Sequence, residues 1–84
     1  MYRVEIARSA LKALQKLPAA YRDAIRERIR GLRQNPRPPG CQKLRGERDK
    51  FRLRVGPYRI LYTIDDERKR VRVVVIAHRR EAYR

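Results

Sequence analysis

The chain has 84 residues, with 24 Lys and Arg against 9 Asp and Glu, and a formal net charge of +15. That length supports one small domain, residues 1–84, and the charge points to polyanionic partners: nucleic acid, an anionic membrane surface or an acidic protein. A single cysteine, Cys41, excludes an intramolecular disulfide, the lone histidine leaves no ordinary zinc ligand set, and no apolar run approaches membrane-spanning length.

Tyr2, Val4 and Ile6 alternate with Arg3 and Glu5, which predicts a first strand rather than a signal peptide. Ser9 is the expected N-cap of a first helix carrying Leu11, Leu14 and Leu17. Pro18 ends that helix or starts the next. Tyr21, Ile25, Ile29 and Leu32 recur at helical spacing and predict a second helix, with a charged outer face from Arg22 to Arg33. So few residues join the two that an antiparallel helical hairpin is expected.

The loop cluster NPRPPG, Asn35 to Gly40, closes the helical half. The basic stretch from Cys41 to Asp49 has room for a brief edge strand. Phe51 to Tyr62, FRLRVGPYRILY, then reads as two alternating strands joined at Gly56-Pro57. Phe51, Leu53, Val55, Tyr58, Ile60 and Tyr62 take one face. Arg52, Arg54 and Arg59 take the other. After the polar turn at residues 65–70, Val71 to Ala77 is apolar on both sides apart from Arg72, as expected of a strand in the middle of a sheet. The expected class is α+β: an N-terminal strand, a two-helix antiparallel hairpin, then a three- to four-stranded antiparallel meander with the helices on one face.

The arginines are the first candidates for chemistry. Arg52 and Arg54 stand about 7 Å apart on one strand face by strand rise. Arg59 lies on the neighbouring strand, and Arg79 leaves the end of the last one. The ordinary reading is four solvated side chains paired with carboxylates, but Glu47, Asp49 and Asp65 to Glu67 are too few to serve them all. An anion site is the better reading. Arginine outnumbers lysine 19 to 5, and a guanidinium binds phosphate in bidentate fashion. A GC-rich genome would also favour arginine.

Tyr83, in a basic tail, either stacks on a nucleobase or packs the tail against the core. His78 is the one side chain with an unperturbed pKa near neutrality, and the charges of Arg79 and Arg80 favour its neutral form. It is a possible acid or base, though a lone strand-end histidine is more often structural. Ser9, the only serine, has no local histidine, which argues against a serine hydrolase. Cys41 reads as an incidental small residue. No phosphate-binding glycine loop, paired carboxylates or HExxH sequence is present.

In order along the chain, YRVEIARSALKALQKLP, NPRPPG, KLRG, RLRVGPYRILY and VVVIAHRREAYR resemble the RelE branch of the RelE/ParE toxin superfamily over essentially the whole length. The resemblance implies a RelE-like fold and a metal-independent, cofactor-free endoribonuclease. Its substrate would be mRNA in the ribosomal A site, with rRNA contacts, and the product would be translational arrest in the cytoplasm. It also implies a hetero-oligomer with an acidic, RelB-like antitoxin, and no membrane association. The family's basic strand positions fall on Arg52 and Arg54, its phosphate-contacting arginines on Arg59 and Arg79, and its C-terminal tyrosine on Tyr83. Lys43, Arg45, Arg48 and Lys50 are assigned to RNA and ribosome binding.

RelE-like enzymes often carry lysine where Arg52 and Arg54 stand. Arginine does not lose its proton in a protein, so a general-base role does not transfer to these positions. The base is left to His78, Tyr83 or a ribosomal group. Two rival expectations are a ParE-like toxin that inhibits DNA gyrase by binding it, and an inactive RNA-binding relative.

Overall fold

Hydrophobic alternation at two periods, strand-like at the start, helical through the next two dozen or so residues and strand-like again thereafter, sets the architecture. The computed structural model describes residues 1–46 and 49–80. Its elements are β1 (Arg3–Ile6), α1 (Arg8–Gln15), α2 (Ala19–Gly31), β2 (Gln42–Lys43), β3 (Lys50–Val55), β4 (Tyr58–Asp65) and β5 (Arg70–His78). The five strands form one mixed sheet in the order β1-β5-β4-β3-β2. β2 to β5 are an antiparallel meander, and β1 adds to β5 in parallel. α1 packs over β5 and α2 over β3, so the helices share one face of the sheet.

The core is the layer between helices and sheet. Ala10 and Leu14 of α1, Ile25 and Ile29 of α2, and Leu32 just beyond it meet Phe51, Leu53, Ile60, Tyr62, Ile64, Val71, Val73 and Ile76. Fully burying one such large aliphatic or aromatic side chain contributes about 1.5–3 kcal/mol. The Tyr62 hydroxyl, inside this layer, donates to the Pro36 carbonyl oxygen at 2.8 Å and so ties the 35–40 loop to the sheet. Burial raises the Tyr62 pKa, with the Cys41 side chain adding to the shift.

Two expectations are corrected in detail, and one left open is decided. Ser9 does not cap α1: it sits within the helix, and Ala7 occupies the N-cap position. The reason is a tight strand-to-helix junction. Ala7 N–H still donates to Val73 O at 2.8 Å, while its carbonyl already accepts from Leu11 N–H at 2.9 Å. Of the two roles open to Pro18, it takes the start of α2, and its carbonyl accepts from Arg22 N–H. β5 is internal, but β4 holds the middle of the sheet, because β1 covers the outer edge of β5. The apolar run in β5 also hides a register shift. Leu61 pairs with Val75 and Tyr62 with Val73, leaving Val74 as an extra residue. Such a bulge resets the alternation, and both Val73 and Ile76 reach the core.

Candidate anion site on the open face of the sheet

The site begins with a two-residue turn. Gly56 has φ +58, a left-handed conformation that glycine adopts at low cost. The tight turn sets the β3–β4 register: Val55 opposite Tyr58, Arg54 opposite Arg59, Leu53 opposite Ile60, Arg52 opposite Leu61 and Phe51 opposite Tyr62. Directly paired residues share a face. Phe51, Leu53, Ile60 and Tyr62 are buried beneath the helices, so Arg52, Arg54 and Arg59 stand on the opposite, helix-free face.

Arg59 is the centre of this group. Its cross-strand partners are Arg54 on β3 and Ala77 on β5. The small alanine leaves space on one side. Partial burial, and then the positive charges of Arg54, Arg52 and Arg79, lower the Arg59 pKa from the ordinary arginine value. The charges of the other three predicted arginines therefore all bear on Arg59. Arg79 is held here by its backbone: its N–H donates to the Pro57 carbonyl at 2.8 Å. Arg54 and Arg79 are exposed, while Arg52 and Arg59 are half-buried. Leu61 and Val75, paired with each other and half-buried, make an apolar floor beside Arg52. Like charges this close repel, and an anion seated among them relieves that repulsion. The arrangement suits a phosphate with an adjoining ribose or base.

Other predicted residues fall elsewhere. His78 pairs with Tyr58 and so belongs to the face opposite Arg59. Its ring meets Tyr58 edge-on, 5.7 Å between centroids, and its Nδ1 lies 3.4 Å from the Arg80 amide nitrogen. Lys50 lies on β3 opposite Thr63, on the arginine face. Lys43 pairs with Phe51 at the sheet edge, on the other face. Arg45 is exposed after β2. Arg48 and Tyr83 lie outside the described residues. No group of three or more metal-ligating side chains occurs among the described residues, and no helix of theirs is long and apolar enough to cross a membrane.

Two contributors were not legible in the sequence. Gln42 pairs with Arg52, and its Oε1 accepts from the Arg52 guanidinium. The brief edge strand was foreseeable, but its register was not. Tyr21 looks like a core residue by spacing, yet it is 39% exposed and lies against Gly56.

Comparison with known proteins places the chain in a family. Residues 4–83 match the sequence model of a family described as the ParE toxin of type II toxin–antitoxin system, parDE. The Toxin RelE of Mycobacterium tuberculosis is 38% identical over 85 residues, spanning 99% of this chain and 87% of that protein. A putative RelE-like toxin protein of Escherichia coli is 34% identical over 80 residues, spanning 93% of this chain and 83% of that protein. The crystal structure of the archaeal RelE–RelB complex from Pyrococcus horikoshii OT3 contains a chain that superposes with a TM-score of 0.85 at 32% identity, covering 96% of this chain and 98% of that one. The chain thus belongs to the RelE/ParE superfamily, as a RelE-like toxin of a type II toxin–antitoxin system.

Proposed function

We propose that this toxin cleaves mRNA bound in the ribosomal A site, using the RNA 2′-hydroxyl as nucleophile. The observation that carries the reading is the register that sets Arg52, Arg54 and Arg59 on one helix-free face, with the Arg79 backbone tied to the adjoining turn. In the reaction, the 2′-OH loses its proton and its oxygen bonds to the adjacent phosphorus. The bond from phosphorus to the 5′-oxygen breaks, and that oxygen gains a proton. The products are a 2′,3′-cyclic phosphate and a 5′-hydroxyl. Negative charge builds on the phosphorus oxygens in the transition state, where fixed guanidinium donors stabilise it most. Arg59 takes the central position, with Arg54 and Arg79 beside it and Arg52 braced by Gln42.

Within this reading the arginines bind and neutralise, and the proton moves elsewhere. His78 faces away from Arg59 across the sheet. The proton acceptor is then assigned to Tyr83 or to a ribosomal group, and Tyr83 also has the ring to orient the splayed nucleotide. Lys50, on the arginine face, extends the basic surface toward the RNA backbone, and Arg45 and Arg48 are assigned to RNA contact by their charge alone.

The Pyrococcus horikoshii relative is described in complex with RelB, and an antitoxin of the same kind is the expected partner here. A net charge of +15 selects for an acidic one.

A second reading is a ParE-like toxin that binds and inhibits DNA gyrase. The description of the matched family favours it. Primer extension on ribosome-bound mRNA separates the two. Codon-positioned cuts that disappear in Arg59→Ala support mRNA cleavage. A loss of gyrase supercoiling with intact mRNA supports the second reading. RNA binding with neither effect identifies an inactive relative.

A further inference from the structure

The geometry points to Tyr21 as a positioning residue for the arginine cluster, acting through the Gly56-Pro57 turn. This rests on the reading of that cluster as the phosphate site. Tyr21 lies in the first turn of α2 and shares the apolar stripe of Ile25 and Ile29. Those two are sealed in the core, whereas Tyr21 keeps 39% of its surface exposed. Core filling therefore does not account for its placement. A Cβ built on Gly56 would sit 2.9 Å from Tyr21 Cε1 and 3.4 Å from Cδ1. The ring rests directly on the turn backbone, at the one place where only a glycine lets it approach so closely.

The same ring meets Tyr58 edge-on, with centroids 5.2 Å apart at 63°. Tyr58 in turn meets His78 at 5.7 Å and 80°. Both are the offset geometry that aromatic quadrupoles favour. A row of three rings thus joins α2 to the start of β4 and the end of β5. The next residue of the turn is held from a second direction, because Pro57 O accepts the Arg79 N–H at 2.8 Å. Gly56 is pressed by Tyr21, and Pro57 is tied to Arg79.

Arg54 lies two residues before Gly56, and Arg59 two residues after Pro57. They are partners in the second pair back from the turn. Moving the turn moves the roots of both, and it also moves the anchor of Arg79. Transition-state stabilisation requires donors fixed before the charge develops. Long-range attraction of RNA by the basic surface needs no such fixing. Loss of the Tyr21 ring is therefore expected to slow the chemical step while leaving docking nearly intact. His78, which faces away from Arg59, acquires a role in the same device as the far ring of the row.

The test uses the free toxin with programmed ribosomes, comparing wild type, Tyr21→Ala, Tyr21→Phe and Arg59→Ala. Tyr21→Ala is expected to lower single-turnover cleavage at saturating ribosomes by about tenfold or more, with half-saturation shifting less than about threefold; Tyr21→Phe, which keeps the ring, restores the rate to within about twofold. A readout independent of activity is amide exchange by NMR. In Tyr21→Ala the Arg79 amide should exchange about tenfold faster, and the Nε–H resonances of Arg54 and Arg59 should move, while the core amides of Tyr62 and Val73 keep their protection. Unchanged Arg79 exchange and unchanged arginine resonances overturn the proposal. So does an equal loss of protection at Tyr62 and Val73, which marks a general destabilisation. Should wild type leave ribosome-bound mRNA uncut, the functional reading fails, and the exchange data alone decide the role of Tyr21. Full cleavage by Arg59→Ala removes the phosphate-site assignment without touching those data.

Discussion

Arg54 and Arg59 are direct cross-strand partners on the helix-free face of the sheet, two residues from either side of a left-handed glycine turn. Like charges directly opposite on a sheet destabilise it. A sequence selected for stability alone would place an opposite charge at one of the two positions. On the proposed reading the pair belongs to the phosphate site, and removing it should separate stability from function. Arg59→Ala is expected to lower mRNA cleavage about a hundredfold or more, while Arg54→Ala or Arg59→Ala leaves the melting temperature equal or higher. A variant that loses activity and stability together would point to structural damage instead. Arg59→Lys is expected to rescue poorly, because an ammonium cannot make the bidentate contact.

The same cluster predicts a salt signature. Each phosphate neutralised on single-stranded RNA contributes about −0.7 to the slope of log affinity against log salt. Removing Arg52, Arg54, Arg59 or Arg79 singly should flatten that slope by about 0.7 when the residue touches phosphate. Arg30 provides the control, since it lies on α2 and pairs with Glu27 at 3.1 Å. Its replacement by alanine should leave the slope nearly unchanged. Fluorescence anisotropy with a short labelled RNA across a salt series measures both.

The faces of the hairpin were readable from FRLRVGPYRILY because strand alternation and a two-residue turn leave few registers open. The helices were readable from the spacing of Leu14, Ile25 and Ile29, all of which are buried. The start of α1 was misread, since the junction is closed by backbone bonds at Ala7, and these leave no mark in side-chain chemistry. The parallel pairing of β1 with β5 was equally hidden: a four-residue alternation does not name its neighbour. At the candidate site, charge and phase brought Arg52, Arg54 and Arg59 together correctly on one face. His78 was harder to place. The extra residue at Val74 shifts the phase of everything after it in β5, and only the register with β4 puts His78 opposite Tyr58. Gln42 and Tyr21 owe their positions to tertiary packing, which local patterns do not encode.

Two glycines with positive φ offer an internal comparison. Gly56 has φ +58, and a Cβ added there would meet the Tyr21 ring at 2.9 Å; Gly46 has φ +77 and open space around it. Replacing either with alanine costs about 1–2 kcal/mol for the left-handed backbone. Gly56→Ala carries the steric cost as well, so it should be the more destabilising of the two. In a Tyr21→Ala background that excess should vanish, because the ring is no longer there to be displaced. A thermal-unfolding double-mutant cycle reads the difference.

Asp66 gives the fold a definite acid limb. Its carboxylate accepts from Arg37 at 2.9 and 3.3 Å and from the Tyr2 hydroxyl at 2.6 Å. The Arg37 and Tyr2 hydrogen bonds lower its pKa to about 2. A carboxylate whose folded-state pKa is depressed stabilises the fold above its unfolded value, near 3.9, and loses that contribution as the pH falls through about 2. The side chain is half-exposed, so solvent screening keeps the effect modest. Asp66→Asn should be less stable than wild type at neutral pH, and the two curves should converge as the pH falls below about 3. Parallel curves down to that pH would mean that the network contributes nothing through charge.

A charge of +15 on so small a body works against the compact state, because every added positive charge raises the energy of the rest. Two consequences follow for the free toxin and for its complex with an acidic antitoxin. Salt shortens the reach of the repulsion, to about 10 Å at 0.1 M and about 3 Å at 1 M, so the free toxin should melt higher as salt is added. The antitoxin neutralises the same charge by contact and adds stabilisation by mass action, about 2.7 kcal/mol at a hundredfold excess over its dissociation constant. The complex should therefore melt well above the free chain at low salt. Stabilisation by mass action alone would leave a gap that depends on affinity and concentration but persists for any tightly bound partner. Charge relief predicts, in addition, that the free chain closes part of that gap in high salt under conditions where the complex stays intact. Differential scanning calorimetry of both species across a salt series distinguishes the cases, and equal melting temperatures at low salt would remove self-repulsion as a determinant of this fold.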